Sequence, residues 1–186
     1  MPSFTLITGN DAKINDFQNS LKGPGLDFEI VKGEKPELRS DDPCEIAKTA
    51  AKALCERLKK PVVVEDSGLF IEALNEYPGT CTAYIFKRVG LEGILKLMKG
   101  ISNRKAAYKS AVGYCEPGKE PLCFYGEEEG RIAEKIRGKG GWGHDPIFIP
   151  KGKAKTYGET KKPGDVNLFR RRAIEKLKEH MINEIS

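Results

Sequence analysis

Pro61-Val62-Val63-Val64-Glu65-Asp66-Ser67-Gly68-Leu69 is the stretch on which the fold turns. Three successive β-branched residues leave no polar face, so the strand they form is buried on both sides, as in a sheet covered by helices above and below. That strand runs directly into two carboxylates. Adjacent charges at the end of a buried strand are costly unless something compensates them. A divalent cation does so through oxygen ligands, and Mg²⁺ commonly bridges protein carboxylate and substrate phosphate. In an open α/β sheet, ligands bind beyond the carboxyl ends of the strands. If the strand continues through Glu65 and Asp66, their side chains point to opposite faces. A polar turn closing the strand is the bland alternative.

Upstream, Asp42-Pro43-Cys44-Glu45 starts a helix, with Asp as N-cap, Pro at N1 and Glu at N3. Ile46, Ala50, Leu54 and Leu58 form its apolar stripe, and Ala47 and Ala51 beside them allow close packing on a sheet. Phe4 to Thr8 reads as a strand. Ile14, Phe17 and Leu21 predict a helix over 11–22, ended by Gly23-Pro24-Gly25. Phe28 to Val31 is a second strand, and 32–42 a loop. Downstream, Leu91, Ile94, Leu95 and Met98 repeat the helical spacing. Residues 106–115 and 121–136 alternate as a hairpin around Glu116-Pro117-Gly118. A glycine-rich loop at 138–143 precedes the strand-like Ile147 to Ile149. Val166, Phe169, Ala173 and Leu177 mark a C-terminal helix with Asp165 as its cap. The pattern predicts an α/β fold with a mixed sheet, in one domain over 1–186.

The 186 residues are 39% hydrophobic and 32% charged, which excludes a disordered chain. No segment approaches the roughly 20 apolar residues of a bilayer helix, so no membrane partner is expected. Met1 to Ile7 has no basic flank and reads as a strand, which argues against a signal peptide and for a cytoplasmic protein. The net charge of +5 is scattered among acids, pointing to a small anionic ligand and not to nucleic acid. Cys44, Cys55, Cys81, Cys115 and Cys123 form no CxxC pair, and His144 and His180 lie far apart, which argues against a structural zinc site. The odd cysteine count fits reduced, mostly buried thiols.

Two further segments combine glycine with polar residues at strand ends. Thr8-Gly9-Asn10-Asp11-Ala12-Lys13 is a strand–turn–helix junction, where backbone N–H groups and the helix dipole favour an anion. Asn10 and Lys13 can each reach a phosphate oxygen, although the segment is no Walker A loop. An ordinary capped turn is the alternative. In Gly138-Lys139-Gly140-Gly141-Trp142-Gly143-His144-Asp145-Pro146, glycines let a flat ligand approach the backbone. Trp142 and His144 can stack on such a ligand, and Asp145 can accept from a ring N–H. A tryptophan plugging the core and a structural histidine are the alternatives.

Thr8-Gly9-Asn10 with Lys13, Glu65-Asp66-Ser67-Gly68-Leu69, Pro78-Gly79 and Gly141-Trp142-Gly143-His144-Asp145-Pro146 follow one another in an order and spacing that span nearly the whole chain. By these motifs the sequence resembles the inosine triphosphate pyrophosphatase family, the Ham1/RdgB-like nucleoside triphosphate pyrophosphatases. The resemblance implies Mg²⁺-dependent hydrolysis of non-canonical purine nucleoside triphosphates (ITP, dITP, XTP) to the monophosphate and pyrophosphate. It also implies a homodimer of elongated, two-lobed α/β domains, each with a central mixed β-sheet flanked by helices and an active-site cleft between the lobes. Residue by residue, it implies that Thr8, Gly9, Asn10, Asp11, Ala12 and Lys13 hold the triphosphate and that Asp66 orients or deprotonates the attacking water. Glu37, in Lys35-Pro36-Glu37-Leu38, is then the distal metal ligand, with Asp66 and Glu65 as the other metal-binding carboxylates. Ser67 contacts the nucleotide, Trp142, Gly143, His144 and Asp145 embrace the base, and Lys162 and Arg170 complete the substrate contacts.

The chain departs from the family in two places. Leu168-Phe169-Arg170 stands where the family has Ser-His-Arg, and Ala50 where many members carry a helix lysine, with Lys48 and Lys52 at neighbouring positions. Phe169 in the histidine's place keeps open a pyrophosphatase for other modified nucleotides, or a module that binds nucleotide without turning it over.

Overall fold

The structure is a computed structural model describing residues 3–22, 26–36 and 38–184. Gly23, Pro24 and Gly25, expected to stop the first helix, and Glu37, expected as a metal ligand, lie outside the described residues. In order the elements are β1 (Ser3–Ile7), α1 (Asp11–Ser20), β2 (Asp27–Val31), α2 (Pro43–Leu58), β3 (Val62–Ile71), β4 (Pro78–Gly79), α3 (Thr82–Leu97), β5 (Lys105–Cys115), β6 (Leu122–Ile132), β7 (Phe148–Pro150), α4 (Tyr157–Thr160) and α5 (Leu168–Asn183). The strands form one sheet in the order β2-β1-β3-β5-β6-β7, with β4 on β3. It is mixed, as expected: β1 runs parallel to β2 and β3, whereas β4 is antiparallel to β3 and β7 to β6. The chain divides into two compact units, one of Met1–Asp66, Ser110–Gly126 and Val166–Ser186, the other of Ser67–Lys109 and Glu127–Asp165.

In the first unit, strand alternation explains the apolar run at 62–64. Val63, with Phe4, Leu6, Val112 and Tyr114, packs against Phe17 of α1 and Ala173, Ile174 and Leu177 of α5. Val62 and Val64, with Ile7 and Ala111, pack against Ala47, Ala50, Ala51 and Leu54 of α2. The small stripe of α2 is matched by Gly113 in β5, where an added Cβ would lie 2.3 Å from the Ala47 carbonyl oxygen. Asp42 caps α2 as its sequence predicts, accepting the Cys44 N–H at 2.8 Å. The cap of α5 is Asn167 and not Asp165. Asp165 instead accepts the Lys162 N–H at 2.8 Å, which closes the preceding turn.

The expectation of reduced thiols needs correction. Cys44 and Cys123 are joined in a disulfide, their Cα atoms 5.7 Å apart, while Cys55, Cys81 and Cys115 are free. The bridge joins α2 to β6, and a separation of 79 residues hides that pairing from a reading of spacing.

In the second unit, the rest of β3 packs on β4 at close range. A Cβ on Gly68 would lie 2.0 Å from the Gly79 carbonyl oxygen. Thr82 fastens the two, its hydroxyl accepting the Leu69 N–H at 2.7 Å and donating to the Gly79 carbonyl at 2.6 Å. Gly68 and Pro78-Gly79 therefore have a packing role in this fold. The helix read from Leu91 onward starts earlier, at Thr82, and is kinked at Gly90, where φ is 65°. No helix among the described residues is long and apolar enough to cross a membrane.

Candidate active site

β3 does not stop at Val64 but continues to Ile71, so Glu65 and Asp66 are strand residues on opposite faces and the turn alternative falls away. Glu65 is 3% exposed and points to the face covered by α1 and α5. Its Oε1 accepts from Arg170 Nε at 3.0 Å and from the Ser110 hydroxyl at 2.5 Å. Its Oε2 lies 2.7 Å from Lys13 Nζ, which also donates to the Glu65 carbonyl at 2.9 Å. Burial alone would push this carboxyl up. The charges of Arg170 and Lys13, with hydrogen bonds from Lys13 and Ser110, outweigh it and hold Glu65 well below the usual carboxylate range. Behind this pair Arg170 also bonds the buried Asp16, whose Oδ2 accepts from Asn167 Nδ2 at 2.7 Å.

Asp66 has the opposite balance. Lys35 donates to its Oδ1, while Oδ2 is buried with no hydrogen-bond partner among the described residues. Burial raises its pKa, and the opposing charges of Lys35 and Lys13 do not cancel that rise. Two neighbouring carboxylates are thus driven apart, one firmly ionised and one brought nearer to accepting a proton. The lone pairs of Asp66 Oδ2, unmatched among the described residues, fit a hard cation or a water molecule. Glu65, expected as a ligand too, has both oxygens engaged by Lys13, Arg170 and Ser110, and this makes it a buttress for those cations. No group of three or more His, Cys, Asp or Glu side chains converges on one point among the described residues. A metal held at Asp66 would fill its shell with water and phosphate, as Mg²⁺ does.

The junction at 8–13 folds as the sequence suggests but spends its donors internally. Asn10 Oδ1 accepts the Ala12 and Lys13 N–H groups at 2.9 and 3.2 Å, and Thr8 Oγ1 accepts the Asn10 N–H at 3.2 Å. Asp11 pairs with Lys32 on the surface, and Gly9 has room for a Cβ. The free backbone donors expected for an anion are therefore largely taken at Ala12 and Lys13. What this segment brings to Glu65 and Asp66 is the Lys13 ammonium. Ser67 follows Asp66 in β3, half-buried.

In the second unit the 138–146 loop closes on Asp145. Its Oδ2 accepts the Trp142 N–H at 2.8 Å and lies 3.2 Å from Lys161 Nζ, while Tyr108 donates to Oδ1 at 3.2 Å. Gly141, with φ of 72°, sits where a Cβ would come within 2.2 Å of that same carboxylate. Gly143 also has positive φ, 58°. Trp142 is 56% exposed and is not a core plug. His144 is 1% exposed, with Phe86 edge-on at 5.1 Å and neither ring nitrogen hydrogen-bonded among the described residues. Of the two rings read as stackers, only Trp142 is open to a ligand, with Phe86 of α3 at 6.3 Å.

Lys162 is exposed, and the lysine that reaches Asp145 is its neighbour Lys161, which also lies over the Tyr157 ring at 3.9 Å. Arg170, expected among the substrate contacts, pairs its guanidinium with Glu65 and Asp16, with Phe169 beneath it at 5.1 Å. Sequence reasoning missed Lys35, Asp16, Ser110, Phe86, Tyr108 and Lys161. Lys35 had a signal, since it opens the same tetrapeptide as Glu37. Asp16 carried no such signal, because nothing in a helix aspartate beside Phe17 shows that it is buried.

A model of the Ham1 family matches residues 4–180. A dITP/XTP pyrophosphatase of Methanopyrus kandleri is 53% identical over 152 residues, covering 82% of this chain and 81% of the relative. One of Methanosarcina mazei is 40% identical over 186 residues, 98% of each chain. Among solved structures, a HAM1 protein from Coxiella burnetii superposes with a TM-score of 0.85 at 27% identity, over 98% of this chain and 100% of that one.

Proposed function

The chain belongs to the Ham1 family, and from that premise we propose that it hydrolyses dITP, ITP and XTP to the monophosphate and pyrophosphate, clearing them from the nucleotide pool. Relatives named dITP/XTP pyrophosphatase support this reaction class, a hydrolase acting on phosphoanhydride bonds. The observation that carries the reading is Asp66, a buried carboxylate with one oxygen on Lys35 and the other without a hydrogen-bond partner among the described residues, set beside the clamped Glu65. In this scheme Asp66 accepts the proton of the water that attacks the α-phosphorus. Lys13 and Lys35 stabilise negative charge on the phosphate oxygens. Glu65, itself fixed by Arg170 and Ser110, holds Lys13 in position. Trp142 stacks on the purine, and Asp145, anchored by Tyr108 and Lys161, sets the loop that carries it.

Mg²⁺ belongs to this proposal: Asp66 would hold it, with Glu37 as the second carboxylate on the strength of the resemblance. When bound it supplies charge neutralisation of the phosphates and a more acidic water. A cytoplasmic homodimer acting on free nucleotide, with no nucleic-acid or membrane partner, completes the reading, and sedimentation of the purified chain tests the dimer. The primary experiment is pyrophosphate release in Mg²⁺ from ITP, XTP, dUTP, ATP and GTP in parallel. Turnover confined to ITP and XTP is expected. Asp66→Asn should lower kcat by about 10²- to 10⁴-fold, while Trp142 fluorescence still reports nucleotide binding. Folded protein that releases nothing from any of the five would leave only a binding module.

A further inference from the structure

Cys55 and Cys115 take no part in the proposed hydrolysis, yet the fold brings their thiols together. Cys55 lies in the last turns of α2 and Cys115 ends β5, and both are buried in the core where α2 lies on the sheet. The two share one apolar cluster and line one cavity, and after burial Cys55 is the neighbour that acts most strongly on the Cys115 thiol. Cys115 Sγ itself lies 3.6 Å from the Glu116 carbonyl and 3.5 Å from that of Lys119, in the turn that follows β5. Both cysteines line a cavity of about 280 Å³ bordered by Lys52, Glu56, Lys59 and Lys119, so a small molecule can reach the pair. Burial, and then Cys55 beside it, push the Cys115 thiol up to about 11 against the opposing charge of Lys52, so thiolate reactions at this site are slow at neutral pH and speed up as the pH rises.

We propose that Cys55 and Cys115 form a dithiol that a small disulfide converts into a second cross-link, tying the end of α2 to the end of β5. One cysteine thiolate attacks a sulfur of the reagent, giving a mixed disulfide and expelling one small thiol. The other cysteine attacks the protein sulfur of that mixed disulfide and expels the second. One S–S bond is broken in the reagent and one is made in the protein, and the two cysteine protons end on the two released thiols. The product gains a tie between helix and strand, while the Glu116 and Lys119 carbonyls lose the S–H that lies between them.

The test uses the Cys81→Ser protein, which removes the exposed one of the three free cysteines and leaves two. It is incubated folded with hydroxyethyl disulfide, quenched in acid and mapped by mass spectrometry without reduction. Both thiols should disappear together, with an intact mass lower by two hydrogens, a peptide joining Cys55 to Cys115, and the Cys44–Cys123 peptide unchanged. Cys55→Ser or Cys115→Ser in the same background should give no cross-link. Two thiols that persist through prolonged incubation would overturn the proposal. So would reagent adducts that never resolve, or a new bridge drawn from Cys44 or Cys123.

Discussion

Burial with no hydrogen-bond partner among the described residues keeps His144 neutral near pH 7. Its pKa is lowered from 6.5 to about 4 by burial, with the ring of Phe86 against it. Between those values the unfolded chain binds a proton that the folded chain refuses. Stability is therefore complete above about pH 6.5 and falls as the pH drops toward 4. At about 1.4 kcal/mol per pKa unit the loss is on the order of 3 kcal/mol. His144→Phe should remove that component, so that urea midpoints at pH 7 and pH 4.5 differ less in the variant than in the parent. Equal differences in both would mean that His144 takes up its proton without cost. The histidine also illustrates what the sequence allows at this scale. That the 138–144 stretch forms a loop carrying Trp142 and His144 was legible, because clustered glycines break helix and strand alike. Which of its rings faces outward was not, since exposure is set by α3, through Phe86. Lys161 and Lys162 differ by one position, and only the backbone path decides which of them meets Asp145.

The approach of α2 to β5 is an element-scale feature that rests on Gly113. The sequence did reveal one half of it, the Ala47, Ala50 and Ala51 stripe and the Asp42-Pro43 start. The other half, a glycine inside an alternating strand, has no meaning until the partner is known. Likewise the valine run announced β3, but its continuation through Glu65 and Asp66 to Ile71 depends on β4 and on Arg170 and Lys13, which lie far away in sequence. A Cβ at Gly113 would lie 2.3 Å from the Ala47 oxygen and 2.5 Å from its carbonyl carbon, both backbone atoms that cannot swing aside. Gly113→Ala is therefore expected to destabilise by about 1–3 kcal/mol through overpacking. The sign is diagnostic, because alanine in a strand interior otherwise gains about 0.5–1 kcal/mol over glycine. A lower urea midpoint with an unchanged circular dichroism spectrum checks it, and a raised midpoint would refute the close seating of α2.

At the scale of the whole molecule, the Cys44–Cys123 bridge and the three shared strands determine how the chain unfolds. Both cysteines belong to the first unit, and the loop they close spans a sequence separation of 79. Removing a native cross-link of that span costs about 2–5 kcal/mol, through greater freedom of the unfolded chain on the chain-entropy account. Trp142, the only tryptophan, belongs to the second unit. β3, β5 and β6 each contribute residues to both units without a break. Ladder bonds lost in one stretch of such a strand expose the next, so the two units should unfold together and not in sequence. Reduction of the bridge is then expected to lower the urea midpoint seen by far-ultraviolet circular dichroism and that seen by Trp142 fluorescence by the same amount. The measurement is a pair of denaturation curves, oxidised and reduced, followed by both probes on the same samples. A Trp142 transition that stays in place while the dichroism shifts would mean that the second unit holds its fold alone, and that continuous strands do not couple the two.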